Sequence, residues 1–256
     1  MQAIDMIKIE RSNKKSGILI LFLFVTSMIA GSAILSYAEK RDFKAPGIRT
    51  IVIDPGHGGY DNGGQGPDGS LEKELTLKFA QILAKELKSN YEVVLTRNGD
   101  YEVALTRRAS VANHHRADMF ISIHTGSGSR SRMDTWSIFY FKKADSKKGG
   151  IKVETAVLEN VEDTRIKWDQ VQLRHQKESL ALAGCMKAQL AGVSGIAEVN
   201  IAGAALRVLE GLDMPSIIIE TGYLSNPKTE KRLNDRFFLS DTAKSIKKGI
   251  DIYLSR

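Results

Sequence analysis

A single cysteine, Cys185, stands in 256 residues, so no intramolecular disulfide can form and no thiolate-rich zinc site can be built. Any metal site must therefore draw on His, Asp or Glu. Proline is scarce, at five residues, and the 22 glycines follow no fixed period, which excludes collagen-like and low-complexity chains. No Gly-Lys-Ser/Thr occurs, so a P-loop is excluded, and no internal repeat is present. What is there, 42% hydrophobic and 26% charged residues, fits one ordinary globular domain plus a short extra segment. Lys and Arg outnumber Asp and Glu by 37 to 30, a formal charge of +7. That surplus suits an anionic partner or surface without naming nucleic acid, and no nucleic-acid partner is expected.

The extra segment is at the amino end. From Gly17 to Ala38 run 22 residues without a formal charge, preceded by Lys8, Arg11, Lys14 and Lys15. A run of that length crosses a bilayer, and its basic flank keeps the amino end in the cytoplasm while the rest is translocated. Ser36-Tyr37-Ala38 is a small-x-small pattern suited to signal peptidase, whereas the run is longer than the roughly 7–15 residues of a cleaved signal. Residues 1–44 thus read as a signal peptide or a membrane anchor with its linker. The protein is expected to be exported, to the periplasm or cell-wall space, either anchored or released.

Residues 45–256 read as one α/β domain. Thr50–Ile53 is a β-branched strand stopped by Asp54-Pro55-Gly56, and Tyr91–Thr96, Met119–His124, Trp136–Phe141 and Ser216–Glu220 read as further strands. Apolar residues at three- and four-residue steps predict helices from Leu75 to Leu87, Leu105 to about His114, and Ser179 to Leu190, with two more around Lys228–Asn234 and Asp241–Leu254. The stretch of about 142–176 is charged and weakly periodic, and reads as an insertion. Strands separated by helices indicate an open, mostly parallel sheet with helices on both faces.

In such sheets the working crevice lies outside the carboxyl ends of the strands. His57 follows the first strand, His124 closes the third and Glu220 closes the late one. Each ends an apolar run where an uncompensated polar group is costly. Two imidazoles and a carboxylate converging there suggest a divalent metal, with zinc favoured by nitrogen and oxygen donors. His114 and His115, at a helix end, read as structural, as does His175, and Cys185 reads as a small buried thiol within a helix. Gly64-Gln65-Gly66-Pro67-Asp68-Gly69 formally fits a dinucleotide fingerprint. It starts eleven residues beyond Ile53 and contains a proline, so the loop reads instead as a tight fold of backbone beside His57.

Asp54-Pro55-Gly56-His57-Gly58-Gly59, Glu72-Lys73-Glu74-Leu75, Ser122-Ile123-His124 and Glu220-Thr221-Gly222-Tyr223-Leu224-Ser225-Asn226-Pro227 occur in that order. Together they resemble the zinc-dependent N-acetylmuramoyl-L-alanine amidases of the type 3 catalytic domain, over about Thr50 to Tyr253. The resemblance also takes in Leu95-Thr96-Arg97, Arg108 and Met214-Pro215. It implies hydrolysis of the peptidoglycan amide between the lactyl group of N-acetylmuramic acid and the L-alanine of the stem peptide. It implies one zinc ion held by His57, Glu72 and His124, with Glu220 as the catalytic general base and acid. Without the family pattern, Glu74 would be as good a candidate as Glu72. Thr125-Gly126 stand where many relatives have Ala-Asn, so contacts with substrate beside the metal are expected to differ. In some family members a segment at the position of the 142–176 stretch blocks or regulates the site. A protein activator acting there is the regulatory expectation, an exposed loop the plain alternative.

Overall fold

The run Thr50–Pro55 (β1) is buried at every position, as a strand covered on both faces must be. The computed structural model describes residues 47–126, 135–143 and 168–256, and Gly47–Arg256 form one compact unit. The apolar segment from Gly17 to Ala38 lies outside the described residues; among those described, no helix is long and apolar enough to cross a membrane.

After β1 come α1 (Glu72–Leu87), β2 (Glu92–Leu95), α2 (Leu105–His114), β3 (Met119–Gly126) and β4 (Thr135–Phe141). A short helix α3 (Trp168–Val171) and a 3-10 turn then lead into α4 (Gln176–Leu190), β5 (Glu198–Ala204), β6 (Ser216–Tyr223), α5 (Pro227–Asn234) and α6 (Arg236–Leu254). The strands make one six-stranded sheet in the order β2-β1-β3-β6-β4-β5. The first four of these are mutually parallel; β4 runs antiparallel to β6 and carries β5 parallel to itself. The sheet is therefore mostly parallel, as the alternation of strand and helix predicts. One face packs Ile51, Ile53, Ile121, Ile217 and Ile219 against α1, α4 and α6. The other packs Val52, Phe120 and Ile218 against Ala109 and Ala112 of α2 and against Leu209 and Leu212.

The sequence pattern misses β5. Glu-Val-Asn-Ile-Ala-Gly-Ala has no β-branched run, and as an edge strand it is buried on one side alone, so neither propensity nor burial marks it. α6 begins at Arg236, five residues before the periodic stretch, because Asp235 caps it by accepting the Phe237 amide. Of the stretch read as an insertion, 144–167 lie outside the described residues. Its end is woven into the core: the buried Gln172 amide donates to Leu212 O, Met214 O and Ser216 Oγ at 2.8–3.2 Å.

Candidate metal centre and active site

The chain leaves β1 toward β2 on one side and later returns to place β3 on the other. The crevice of this sheet therefore opens between the carboxyl ends of β1 and β3. His57 sits just past the first of these ends and His124 within the second.

His57 is turned into the crevice by a left-handed backbone, φ 61°, which costs a non-glycine residue free energy that the surroundings must offset. Two buried guanidinium groups supply that bracing. Arg108 donates to Pro55 O at 2.7 Å, His57 O at 2.9 Å and the Asp54 carboxylate at 2.6 Å. Arg97 donates to Pro55 O, Gly56 O and Lys73 O at 3.1, 2.7 and 2.8 Å. Each thus ties the turn to a different neighbour, Arg108 to α2 and Arg97 to the first turn of α1. The Asp61 carboxylate accepts from His57 Nδ1 at 2.8 Å; in the neutral imidazole this holds the proton on Nδ1 and leaves the Nε2 lone pair facing the crevice, whereas the protonated ring also donates from Nε2 to Glu72.

Glu72 comes from the opposite side, in the first turn of α1. Its Oε1 lies 3.1 Å from His57 Nε2 and 3.2 Å from His124 Nδ1. The same oxygen accepts the Thr125 amide at 2.8 Å, and Oε2 accepts the Gly64 amide at 2.8 Å. The Thr125 amide, on the β1 side of β3 like that of Ile123, is free to do this because the β1–β3 pairing ends at Pro55 and Ile123. On the other side β3 and β6 shift register between His124 and Gly126, a bulge of the kind found beside active sites. Neighbouring Glu74 is exposed, so the fold separates two glutamates that the helix pattern leaves equivalent. Burial pushes the Glu72 carboxyl up, but the bonds from both histidines and both amides outweigh it and hold it far below the usual carboxylate range. Burial likewise opposes a charged His57; the Glu72 and Asp61 carboxylates overcome it and raise the imidazole above its ordinary value.

The close approach depends on backbone without side chains at two points. A Cβ at Gly56 would stand 2.4–2.7 Å from the His124 ring, and one at Gly63, where φ is 65°, would stand 2.7 Å from both Glu72 and His57. The glycine-rich loop is thus the wrapping around the ligand set. Its amides are spent within the protein, Gly64 on Glu72 and Asp68 and Ser70 on the buried Glu230 carboxylate at 2.8 and 2.9 Å. None of those three is left for a phosphate.

One ligand atom from each of His57, Glu72 and His124 lies within 4.8 Å of the others. Donors bound tetrahedrally to zinc at 2.0–2.1 Å are separated by about 3.3 Å, close to the 3.1 and 3.2 Å found here. The donor set and its spacing therefore fit such an ion. Glu220 is registered beside His124 across β3 and β6, on the same face of the sheet. Among the described residues its carboxylate has no hydrogen-bond partner, and burial, reinforced by the charge of Glu72 and opposed by His124, raises its pKa. A half-buried, unengaged carboxylate beside a cluster whose geometry fits a metal ion has the makings of a proton acceptor.

The remaining histidines stay apart from this cluster. His114 and His115 stack edge to face at the end of α2, and His175 faces Asp213 at 3.0 Å. Cys185 is buried in α4. Thr125 is buried, and among the described residues its hydroxyl has no hydrogen-bond partner. Asp61, Arg97 and Glu230 are structural supports that no strand-end or periodicity signal singles out.

The model of the family N-acetylmuramoyl-L-alanine amidase matches residues 51–251, which includes every side chain just described. The chain is 28% identical over 231 residues to the N-acetylmuramoyl-L-alanine amidase AmiA of Escherichia coli (strain K12), covering 85% of this chain and 80% of AmiA. Among solved structures it is similar to AmiC2 of Nostoc punctiforme, with a TM-score of 0.63 and 27% identity over 83% of this chain and 100% of that one. It is also similar to the CwlD amidase of Clostridioides difficile, solved in complex with the GerS lipoprotein, with a TM-score of 0.63 and 26% identity over 81% of this chain and 98% of that one. With the match extending from the second residue of β1 into the last helix and the fold shared along its length, this chain belongs to the N-acetylmuramoyl-L-alanine amidase family.

Proposed function

We propose that this protein is an exported, zinc-dependent amidase that remodels the cell wall by cutting the bond between N-acetylmuramic acid and the L-alanine of the stem peptide. The observation that carries this reading is the convergence of His57, Glu72 and His124 beside the unengaged carboxylate of Glu220. In this reading those three residues hold the ion. A bound zinc supplies a water of lowered pKa and a Lewis acid for the scissile carbonyl. Glu220 takes the proton of the attacking water and returns it to the departing L-alanine amine. Asp61 keeps His57 in the tautomer that can bind metal, and Arg97 and Arg108 keep its backbone in place. Residues 1–44 direct export, and the basic surplus favours an anionic wall.

The test is mass spectrometry of the products formed from purified peptidoglycan. Stem peptides beginning with a free L-alanine amine, released from intact glycan, are expected; cuts elsewhere would replace this reading with a different wall hydrolase. CwlD was solved with a lipoprotein partner, and a protein activator acting on the 142–176 stretch belongs to this proposal. Unchanged basal activity after deletion of Asp145–Lys167 would remove a regulatory role for that stretch.

Asp61→Asn gives a second test. The amide can no longer accept as a charged partner of His57, and zinc affinity is expected to fall about 10–100-fold, measured by competition with a chromogenic chelator. An unchanged affinity would show that the Asp61 carboxylate does not support the metal site.

A further inference from the structure

The register of the sheet extends the polar line of the active site beyond Glu220. His124 pairs with Glu220, Glu220 with Ser137 on β4, and Ser137 with Asn200 on β5. Directly paired residues point to the same face, so these four form one row across four strands. The alternate positions Trp136, Ile138 and Val199 enter the core on the opposite face together with Ile219, which fixes the orientation of the row independently.

This face is covered only in part. Below the row, Ile218 and Phe141 are packed beneath Leu209 and Leu212, with Phe139 and Leu173 against them. At the row itself Ser137 is half-buried and Asn200 exposed, and on either side of Asn200 along β5 Glu198 and Ala202 are exposed as well. Neither Ser137 nor Asn200 has a side-chain hydrogen-bond partner among the described residues. A hydroxyl and a carboxamide, each able to donate and to accept, thus lie open in line with the reacting centre.

The chemistry decides which part of the substrate meets them. The group that returns the proton must face the leaving amine, so the peptide side of the scissile amide lies on the Glu220 side of the ligand cluster. From Glu220 the row runs away from His124. We infer that Ser137 and Asn200 form a subsite for the backbone of the stem peptide. This inference rests on the proposed amidase reading, with Glu220 as the proton donor.

The spacing makes it specific. Adjacent strands lie about 4.8 Å apart and an extended peptide advances about 3.3 Å per residue. With the L-alanine nitrogen at Glu220, Ser137 falls opposite the second stem residue and Asn200 opposite the third. The subsite reads stem length through amide and carbonyl groups.

The zinc-loaded protein and its Ser137→Ala and Asn200→Ala variants would be assayed on muramyl substrates carrying L-alanine alone, a dipeptide or a tripeptide. For Asn200→Ala the KM for the tripeptide substrate is expected to rise about three- to ten-fold, the worth of one hydrogen bond, with kcat and the dipeptide KM unchanged. For Ser137→Ala the rise is expected from the dipeptide onward. An unchanged tripeptide KM in both variants, or an equal loss on the L-alanine substrate, overturns the subsite. Failure of the parent protein to release L-alanine-terminated peptides from the tripeptide substrate and from purified peptidoglycan would instead overturn the amidase reading on which the subsite rests.

Discussion

Glu220→Gln is expected to lower kcat by about 10²–10⁴-fold, the range that positioned acid–base groups contribute, while zinc still binds. The two halves of that expectation come from different parts of the geometry. Glu220 lies beside the ligand cluster on β6 but shares no hydrogen bond with it, whereas His57, Glu72 and His124 contact one another directly. The amide is nearly isosteric with the carboxylate, so packing against β3 and β4 is preserved. What is lost is the ability to accept a proton. Turnover would be followed by release of L-alanine-terminated peptides and zinc content by metal analysis of the folded variant. Near-native kcat with full zinc occupancy would remove Glu220 from its proposed role. Loss of zinc together with activity would make Glu220 part of the metal site instead.

The placing of polar residues at strand ends explains why much of this candidate site is legible in the sequence. His57, His124 and Glu220 each interrupt an apolar run whose burial is already implied, so their cost demands a reason. Glu72 carries no such signal. An acidic residue in the first turn of a helix is favoured by the helix dipole anyway, and only the tertiary approach of α1 to β3 distinguishes Glu72, buried, from Glu74, exposed. The family resemblance singles out Glu72, the glutamate that lies within reach of both histidines, for a reason the helix pattern cannot supply. Asp61, Glu230 and the two arginines were similarly hidden, because a side chain that holds backbone carbonyls or amides leaves no periodic trace. The sheet divides in the same way. Buried parallel strands announce themselves as β-branched runs, while β5, exposed along one face, reads as an ordinary loop. That blind spot has a functional cost, since Asn200 lies on β5.

The buried charges behind the turn that presents His57 carry the largest expected effect on stability. Asp54 is fully buried and accepts from Thr96 Oγ1 at 2.5 Å, Ser122 Oγ at 2.8 Å and Arg108 Nη1 at 2.6 Å. Arg108→Met keeps much of the side-chain volume but removes the charge that compensates Asp54. Breaking one partner of a buried pair costs about 3–5 kcal/mol, a fall in Tm on the order of 10 °C for a domain of this size. The double variant Asp54→Asn, Arg108→Met leaves no uncompensated carboxylate and is expected to recover part of that loss. Thermal unfolding of the two single variants and the double variant measures the coupling. Strict additivity would mean that Arg108 acts through its bonds to the Pro55 and His57 carbonyls rather than through Asp54. In either case the turn that presents His57 loses a brace. Zinc affinity should therefore fall with Arg108→Met at temperatures where the domain remains folded, and any stability that the double variant recovers should come without recovery of zinc affinity.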